Sequence, residues 1–277
     1  MRTEFWGFSG ASPQDAEDEP FLTWLYQVGN TSDATVPKLF STSYGEEETS
    51  ELPSSYADRI NAEFVKCGTR GITLLFASGD SGAVPASGKC VDGAFSPKWP
   101  ATSPYVTAVG GTDSPTVMPE TSWTYSSGGF SNNFPQQWWQ ETAVASYLKN
   151  SAVPSPEGLF NASGRGFPDI AAQAADFQVI ANGNTMSVAG TSCASPTAAA
   201  IFGLLNDARA VANKTSLGFL NPMLYANPSA LNDCAKGTQL GCDGPSSGFP
   251  AVAGWDAVTG LGSPNYGSLL SVVMALP

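Results

Sequence analysis

The 277-residue chain contains no histidine. A serine hydroxyl is a poor nucleophile at its free pKa and ordinarily relies on an imidazole within hydrogen-bond reach as its general base. Nucleophilic chemistry here has to recruit a carboxylate instead. Basic residues are also scarce: 12 Lys plus Arg stand against 24 Asp plus Glu, giving a formal charge of -12 and a pI near 4.2. Phosphate recognition wants a basic surface, so this balance argues against a nucleic-acid partner. Hydrophobic residues make up 42% without a long apolar run, which fits a soluble globular chain with no membrane span. No Cys-x-x-Cys pair occurs among the five cysteines, and without histidine a zinc site is improbable. Five is odd, so at least one thiol is unpaired. The start, Met1-Arg2-Thr3-Glu4-Phe5-Trp6, lacks the apolar run of a signal peptide.

The acidity admits two readings. One is ordinary solubility; the other is a working compartment at low pH, where protonated carboxylates relieve the self-repulsion of such a charge. Three sequons, at Asn30, Asn161 and Asn213, are compatible with a secretory-pathway protein. The length suits one large α/β domain about as well as two small ones.

Periodicity organises the chain. Over Pro20 to Gly29, Phe21, Leu22, Trp24, Leu25 and Val28 share one helical face, and a short strand is expected around Leu39 to Thr42. The acidic run Glu46 to Glu48 reads as a solvated loop or a first helical turn. Tyr56, Ile60, Phe64 and Val65 mark an amphipathic helix within residues 54–68, with Gly68 as its stop. Ile72 to Ala77 is apolar without alternation, as in a parallel strand covered on both faces, and it ends in Ser78-Gly79-Asp80-Ser81-Gly82. In open α/β sheets such strand ends carry ligand sites, which places Asp80 where chemistry is expected.

Residues 83–101 read as a Gly and Pro-rich loop, and Tyr105 to Gly111 as a strand and turn. The paired glycines Gly128 and Gly129 allow close backbone approach to another chain. Residues 146–166 read as a surface excursion, after which Phe167 to Ala172 returns to the core. From Ser195 onward, small and apolar residues predict a buried central helix packed closely on a sheet.

Ser192 stands at the N-terminus of that helix, within Gly190-Thr191-Ser192-Cys193-Ala194-Ser195-Pro196. Unpaired backbone N–H groups and the positive end of the dipole stabilise a developing oxyanion there. Gly190 permits a tight turn, and Pro196 fits a first helical turn, where it needs no donor. The competing reading makes Thr191 or Ser192 a helix cap, and Asp80 a turn residue.

Taken in order, five motifs resemble the sedolisins, the serine-carboxyl peptidases, and most closely their tripeptidyl-peptidase branch. They are Ser78 to Gly82, Pro104 to Thr112, Ser127 to Ser131, Gly190 to Pro196, and Gly254-Trp255-Asp256 with Thr259, Gly260, Gly262 and Pro264. The resemblance runs from about residue 20 to residue 270. It implies a subtilisin-like three-layer α/β fold with a mostly parallel central sheet, and an acid-active peptidase in which Glu and Asp replace the histidine and aspartate of the better-known triad. By motif match Ser192 is the nucleophile that forms the acyl-enzyme on a peptide or protein substrate, and Asp80 is the oxyanion-hole aspartate. An aspartate donates to an oxyanion only while protonated, which itself argues for an acid optimum. Ser127, Gly128 and Gly129 match a strand that pairs with extended substrate.

The resemblance also implies one structural calcium ion in the loops of about residues 231–264. Carboxylates from Asp233 and Asp256, with carbonyls from Cys234, Val252 and Gly254, make an oxygen-only site suited to a hard cation. A Cys90–Cys242 disulfide follows from the same likeness, and Cys193 is expected to be a free buried thiol.

The family pattern breaks at the base. None of the 11 glutamates is followed four residues later by an aspartate, so the Glu/Asp base pair is absent from the chain; Asp15 and Glu19 have that spacing reversed. The expectation is a single partial catalytic domain over residues 1–277, whose first strands, catalytic helix and cleaved N-terminal propeptide lay upstream. Alone it is expected to be poorly stable, with little or no peptidase activity. The full-length protein is expected in an extracellular or acidic lysosome-like or vacuole-like compartment. The alternatives are a natural truncated homologue that binds peptide or is vestigial, and substitution by another carboxylate.

Overall fold

The computed structural model describes residues 3–8, 20–48, 52–113 and 119–277. Helix α1 (Phe21–Asn30) buries Phe21, Leu22, Trp24, Leu25 and Val28, the face its spacing predicts. Strand β1 (Leu39–Thr42) follows at the expected place.

The acidic run departs from expectation. Glu46 and Glu47 form the short strand β2 (Glu46–Glu47), paired antiparallel with β4 (Lys98–Trp99). Glu48 is fully buried and accepts hydrogen bonds from Ser131 Oγ and, at 2.7 Å, from Asn132 N. A carboxylate can be buried when donors converge on it, and these donors lie more than 80 residues away.

Helix α2 (Ser54–Thr69) buries Tyr56, Ile60 and Phe64 but leaves Val65 40% exposed. It runs one residue past Gly68, and the left-handed turn falls on Gly71, at φ 70°. Strand β3 (Thr73–Ala77) is buried throughout. It lies parallel between β1 and β5 (Thr107–Asp113).

Two further strands pair with β5: β9 (Ile170–Gln173), parallel, and the short β6 (Thr121–Ser122), antiparallel. The expected turn at Gly110 and Gly111 is instead strand interior. A Cβ on Gly110 would sit 2.6 Å from Val258 O, and one on Gly111 2.6 Å from Ala174 Cβ, so both glycines serve close packing.

The pleat of β3 separates two cores. Leu74 and Phe76 pack with α1 and α2 residues, whereas Leu75 packs with Val109, Ile170 and the helix α4 (Thr191–Val211). Helix α5 (Tyr266–Ala275) adds Leu269 and Val273 to the second core. The result is the three-layer arrangement with a mostly parallel sheet that the sequence implied. Ala194, Ala198 and Ala199 bring α4 close to that sheet.

Pro196 is the sixth residue of α4, beyond the first turn where a missing donor is free of consequence. The carbonyl it cannot serve is that of Ser192, four residues earlier.

The span 146–166 is only partly an excursion. Its start completes α3 (Glu141–Leu148), with Tyr147 buried, and its end enters β8 (Gly164–Phe167), which pairs antiparallel with β7 (Gly129–Pro135). An antiparallel hairpin of β10 (Phe177–Ala181) and β11 (Asn184–Val188) leads into α4. The Cys90–Cys242 disulfide is formed; Cys67, Cys193 and Cys234 are free. Cys193 is partly exposed rather than buried. Among the described residues no helix is long and apolar enough to cross a membrane.

Candidate active site

The Ser78–Gly82 loop at the end of β3 meets the first turn of α4. One Asp80 carboxylate oxygen accepts both the Thr191 N–H and the Thr191 hydroxyl, each at 2.7 Å. Thr191 Oγ1 in turn accepts the Gly79 N–H at 3.1 Å. Gly190, at φ 152°, permits this approach, since a Cβ there would stand 3.0 Å from the other Asp80 oxygen. Asp80 is more than a turn residue.

Ser192, the second residue of α4, is exposed. No side chain caps α4, and the Thr191 side chain is committed to Asp80, so the capping reading is not what the structure shows. Among the described residues the Ser192 N–H has no recorded acceptor, as for the first N–H groups of a helix in general. The neighbouring Cys193 thiol is pushed up by burial and by the charge of Asp80, which disfavours its thiolate.

A third segment reaches the site from β1, and the sequence reading missed it. Ser43 Oγ donates to Ser192 O at 3.3 Å, serving the carbonyl that Pro196 leaves without an N–H, and Ser41 and Ser195 hydroxyls meet at 2.9 Å. Tyr44 beside it is 45% exposed. A groove of about 1440 Å³ runs from Tyr44 along β1 between α1 and α4, past Trp24, Phe40, Ala199 and Gly203.

Ser127, Gly128 and Gly129 lie elsewhere in the arrangement. All three are buried. Ser127 N donates to Gly79 O at 2.9 Å, its hydroxyl accepts the Ser81 N–H at 3.2 Å, and Gly129 pairs with Phe167. A Cβ on Gly128 would overlap Ala257 O. The glycines do allow close approach, but the approaching backbone belongs to this chain. Through Ser127 the segment braces the Asp80 loop at Gly79 and Ser81.

Among the described residues no carboxylate is recorded accepting a hydrogen bond from the Ser192 hydroxyl. Asp15 and Glu19 lie outside those residues.

The five residues expected at a cation site do converge. Asp233 accepts the Gly254 N–H at 2.9 Å, Asp256 accepts the Val252 N–H at 3.2 Å, and the Thr259 hydroxyl links Asp256 to Cys234 O. Asp256 is fully buried with no basic side chain recorded against it, and burial pushes its carboxyl up to about 8. The Val252 and Gly254 carbonyls accept no recorded hydrogen bond among the described residues. Two carboxylates and unengaged carbonyls fit a hard cation, although no group of three metal-ligating side chains occurs among the described residues.

Residues 22–217 match the model of the subtilase family. The chain belongs to that family. Tripeptidyl-peptidase 1 from Rattus norvegicus is 43% identical over 97% of the chain and 48% of its own length. Tripeptidyl-peptidase SED4 from Arthroderma otae is 39% identical over 93% of the chain and 45% of its own. Among solved structures, a Pseudomonas sedolisin, a serine-carboxyl proteinase complexed with pseudo-iodotyrostatin, superposes with a TM-score of 0.74 at 26% identity. It covers 92% of this chain and 69% of that one. The chain is thus similar to tripeptidyl-peptidases in sequence and to a sedolisin in structure, and it has the subtilisin-like fold of its family. The chain spans about half the length of the curated relatives it matches.

Proposed function

We propose that this subtilase is an acid-acting serine-carboxyl peptidase of tripeptidyl-peptidase type, working through an acyl-enzyme on Ser192. Ser192 Oγ attacks the scissile carbonyl while its proton passes to a carboxylate base, and the amine leaves carrying that proton; water then releases the acyl group by the reverse path. The oxyanion forms at the start of α4, facing the unengaged Ser192 N–H and the positive end of the helix, with a protonated Asp80 as second donor. The observation that carries this reading is the pair of Thr191 hydrogen bonds that fixes Asp80 beside the Ser192 turn. Extended peptide lies beside residues 43–45, since Ser43 reaches Ser192 and Tyr44 is exposed, whereas residues 127–129 are buried.

A second reading has its own support: no carboxylate is recorded on the Ser192 hydroxyl among the described residues. On that reading residues 1–277 by themselves bind peptide and accept an acyl group from an activated ester, but do not turn over amides. Asp233 and Asp256, with the Cys234, Val252 and Gly254 carbonyls, hold one calcium ion, which supplies positive charge beside buried Asp256 and ties two loops together. The disulfide and the acidic composition fit an oxidising, acidic compartment outside the cytosol.

The test uses an unblocked tripeptide as its amide and as an activated ester, at about pH 4. Acylation of Ser192 by the ester without amide turnover supports the second reading while keeping Ser192 as the acyl-forming residue. Steady amide hydrolysis lost in Ser192→Ala would retire the second. Inertness of Ser192 toward both would contradict the first.

A further inference from the structure

Beneath the Asp80 loop lies a nearly buried ion pair. Lys98 on β4 and Glu47 on β2 meet at 2.7 Å, with side chains 9% and 18% exposed. Both partners also grip the loop after Asp80. Lys98 Nζ donates to Val84 O at 2.9 Å, and Glu47 Oε1 accepts the Ala86 N–H at 2.7 Å. Ser81, next to Asp80, donates its hydroxyl to the same Val84 carbonyl at 2.9 Å. Ser96 Oγ completes the Glu47 carboxylate. The stem of Lys98 lies directly against Gly79, where an added Cβ would be 3.2 Å from Lys98 Cγ.

The pair reaches the other side of the site as well. Glu47 stands four residues after Ser43, whose hydroxyl serves Ser192 O. Fixing β2 does not require Glu47, because the adjacent Glu48 already anchors this stretch to Ser131 and Asn132. Nor do buried ion pairs generally add net stability over a packed apolar substitute; losing one partner is what costs, since the other is left uncompensated.

We infer that Glu47 and Lys98 form a positioning pair that sets the Asp80 loop against the Ser192 turn. Its bearing on catalysis rests on the function proposed above; the placement itself does not. Neither side chain touches the reacting atoms. Their effect passes through the 79–86 loop to Asp80, and from Asp80 to Thr191.

The Thr191 amide reports this placement, because its hydrogen bond goes to Asp80. Amide hydrogen exchange resolved by residue is measured on the whole chain for wild type, Lys98→Met, Glu47→Gln and the double variant. The near-isosteric Glu47→Gln guards against a Lys98 variant that does not fold. Each single substitution is expected to lower protection at Thr191 by about tenfold or more, while amides in the middle of α4 keep theirs. The double variant is expected to lose no more than the worse single one, as for residues acting as a unit. Unchanged Thr191 protection in the single variants, or additive losses in the double, overturns the inference. Acylation of Ser192 is a separate readout, so the functional reading can fail while the pair's role stands.

Discussion

Thr191 gives both its N–H and its hydroxyl to one oxygen of Asp80, each at 2.7 Å, across 111 positions of sequence. This joint makes one site out of a strand end and a helix start. Asp80→Ala removes both the acceptor and the proposed oxyanion donor. It is expected to slow acylation of Ser192 by a tripeptide ester about 10²–10³-fold. Asp80→Asn keeps an acceptor for Thr191 and carries its own N–H donors, so most of the rate should survive. Stopped-flow ester cleavage measures both; equal loss in the two variants contradicts the assignment.

Glu47 and Glu48 are neighbours that titrate in opposite directions. Burial lifts the Glu48 carboxyl above its ordinary range, against hydrogen bonds from Ser131 and Asn132. The native state therefore keeps this proton where the unfolded chain has released it, and stability declines as pH rises from the unfolded carboxyl range through the raised one. For Glu47, burial acts upward but is outweighed by hydrogen bonds from Lys98 and Ser96, which hold the carboxyl below its ordinary value. Its contribution is present above the unfolded pKa and is lost as pH falls through the lowered folded one. Melting temperature should peak at mildly acid pH. Glu48→Gln is expected to flatten the neutral side of that profile and Glu47→Gln the acid side; slopes that neither variant changes would contradict the account.

How much of this was legible depends on how far away each partner lies. The buried face of α1 and the continuous apolar β3 follow from local periodicity, and both were read correctly. Asp80 and Ser192 were legible because one sits at a strand end and the other in a recognisable helix-start motif. The acidic run was misread because its partners, Lys98, Ser131 and Asn132, are 51 or more residues away. Gly128 signalled close approach, but local sequence cannot name the approaching backbone, which proved to be Ala257; Gly110 read as a turn for the same reason, its close neighbour Val258 lying far along the chain. Ser43 was missed although a signal existed: Pro196, four residues after Ser192, leaves a carbonyl in need of a donor.

Calcium is expected to stabilise the fold through the loops of Asp233 and Asp256. At about 100 times its dissociation constant, an ion bound only to the native state adds ~2.7 kcal/mol. Chelation should therefore lower the melting temperature of the wild type, and Asp233→Asn should remove most of that response. Identical melting curves with and without chelator would show that these residues bind no stabilising cation.

The most direct measurement is the mass of the protein after brief reaction with an unblocked tripeptide activated ester in mild acid, followed by acid quench and peptide mapping. An activated leaving group lowers the demand for a general base, so the nucleophile is tested by itself. The predicted result is one tripeptidyl group on the peptide containing Ser192, absent in Ser192→Ala. No adduct, an adduct elsewhere, or one that survives Ser192→Ala would contradict the assignment of Ser192 as the acyl-forming residue.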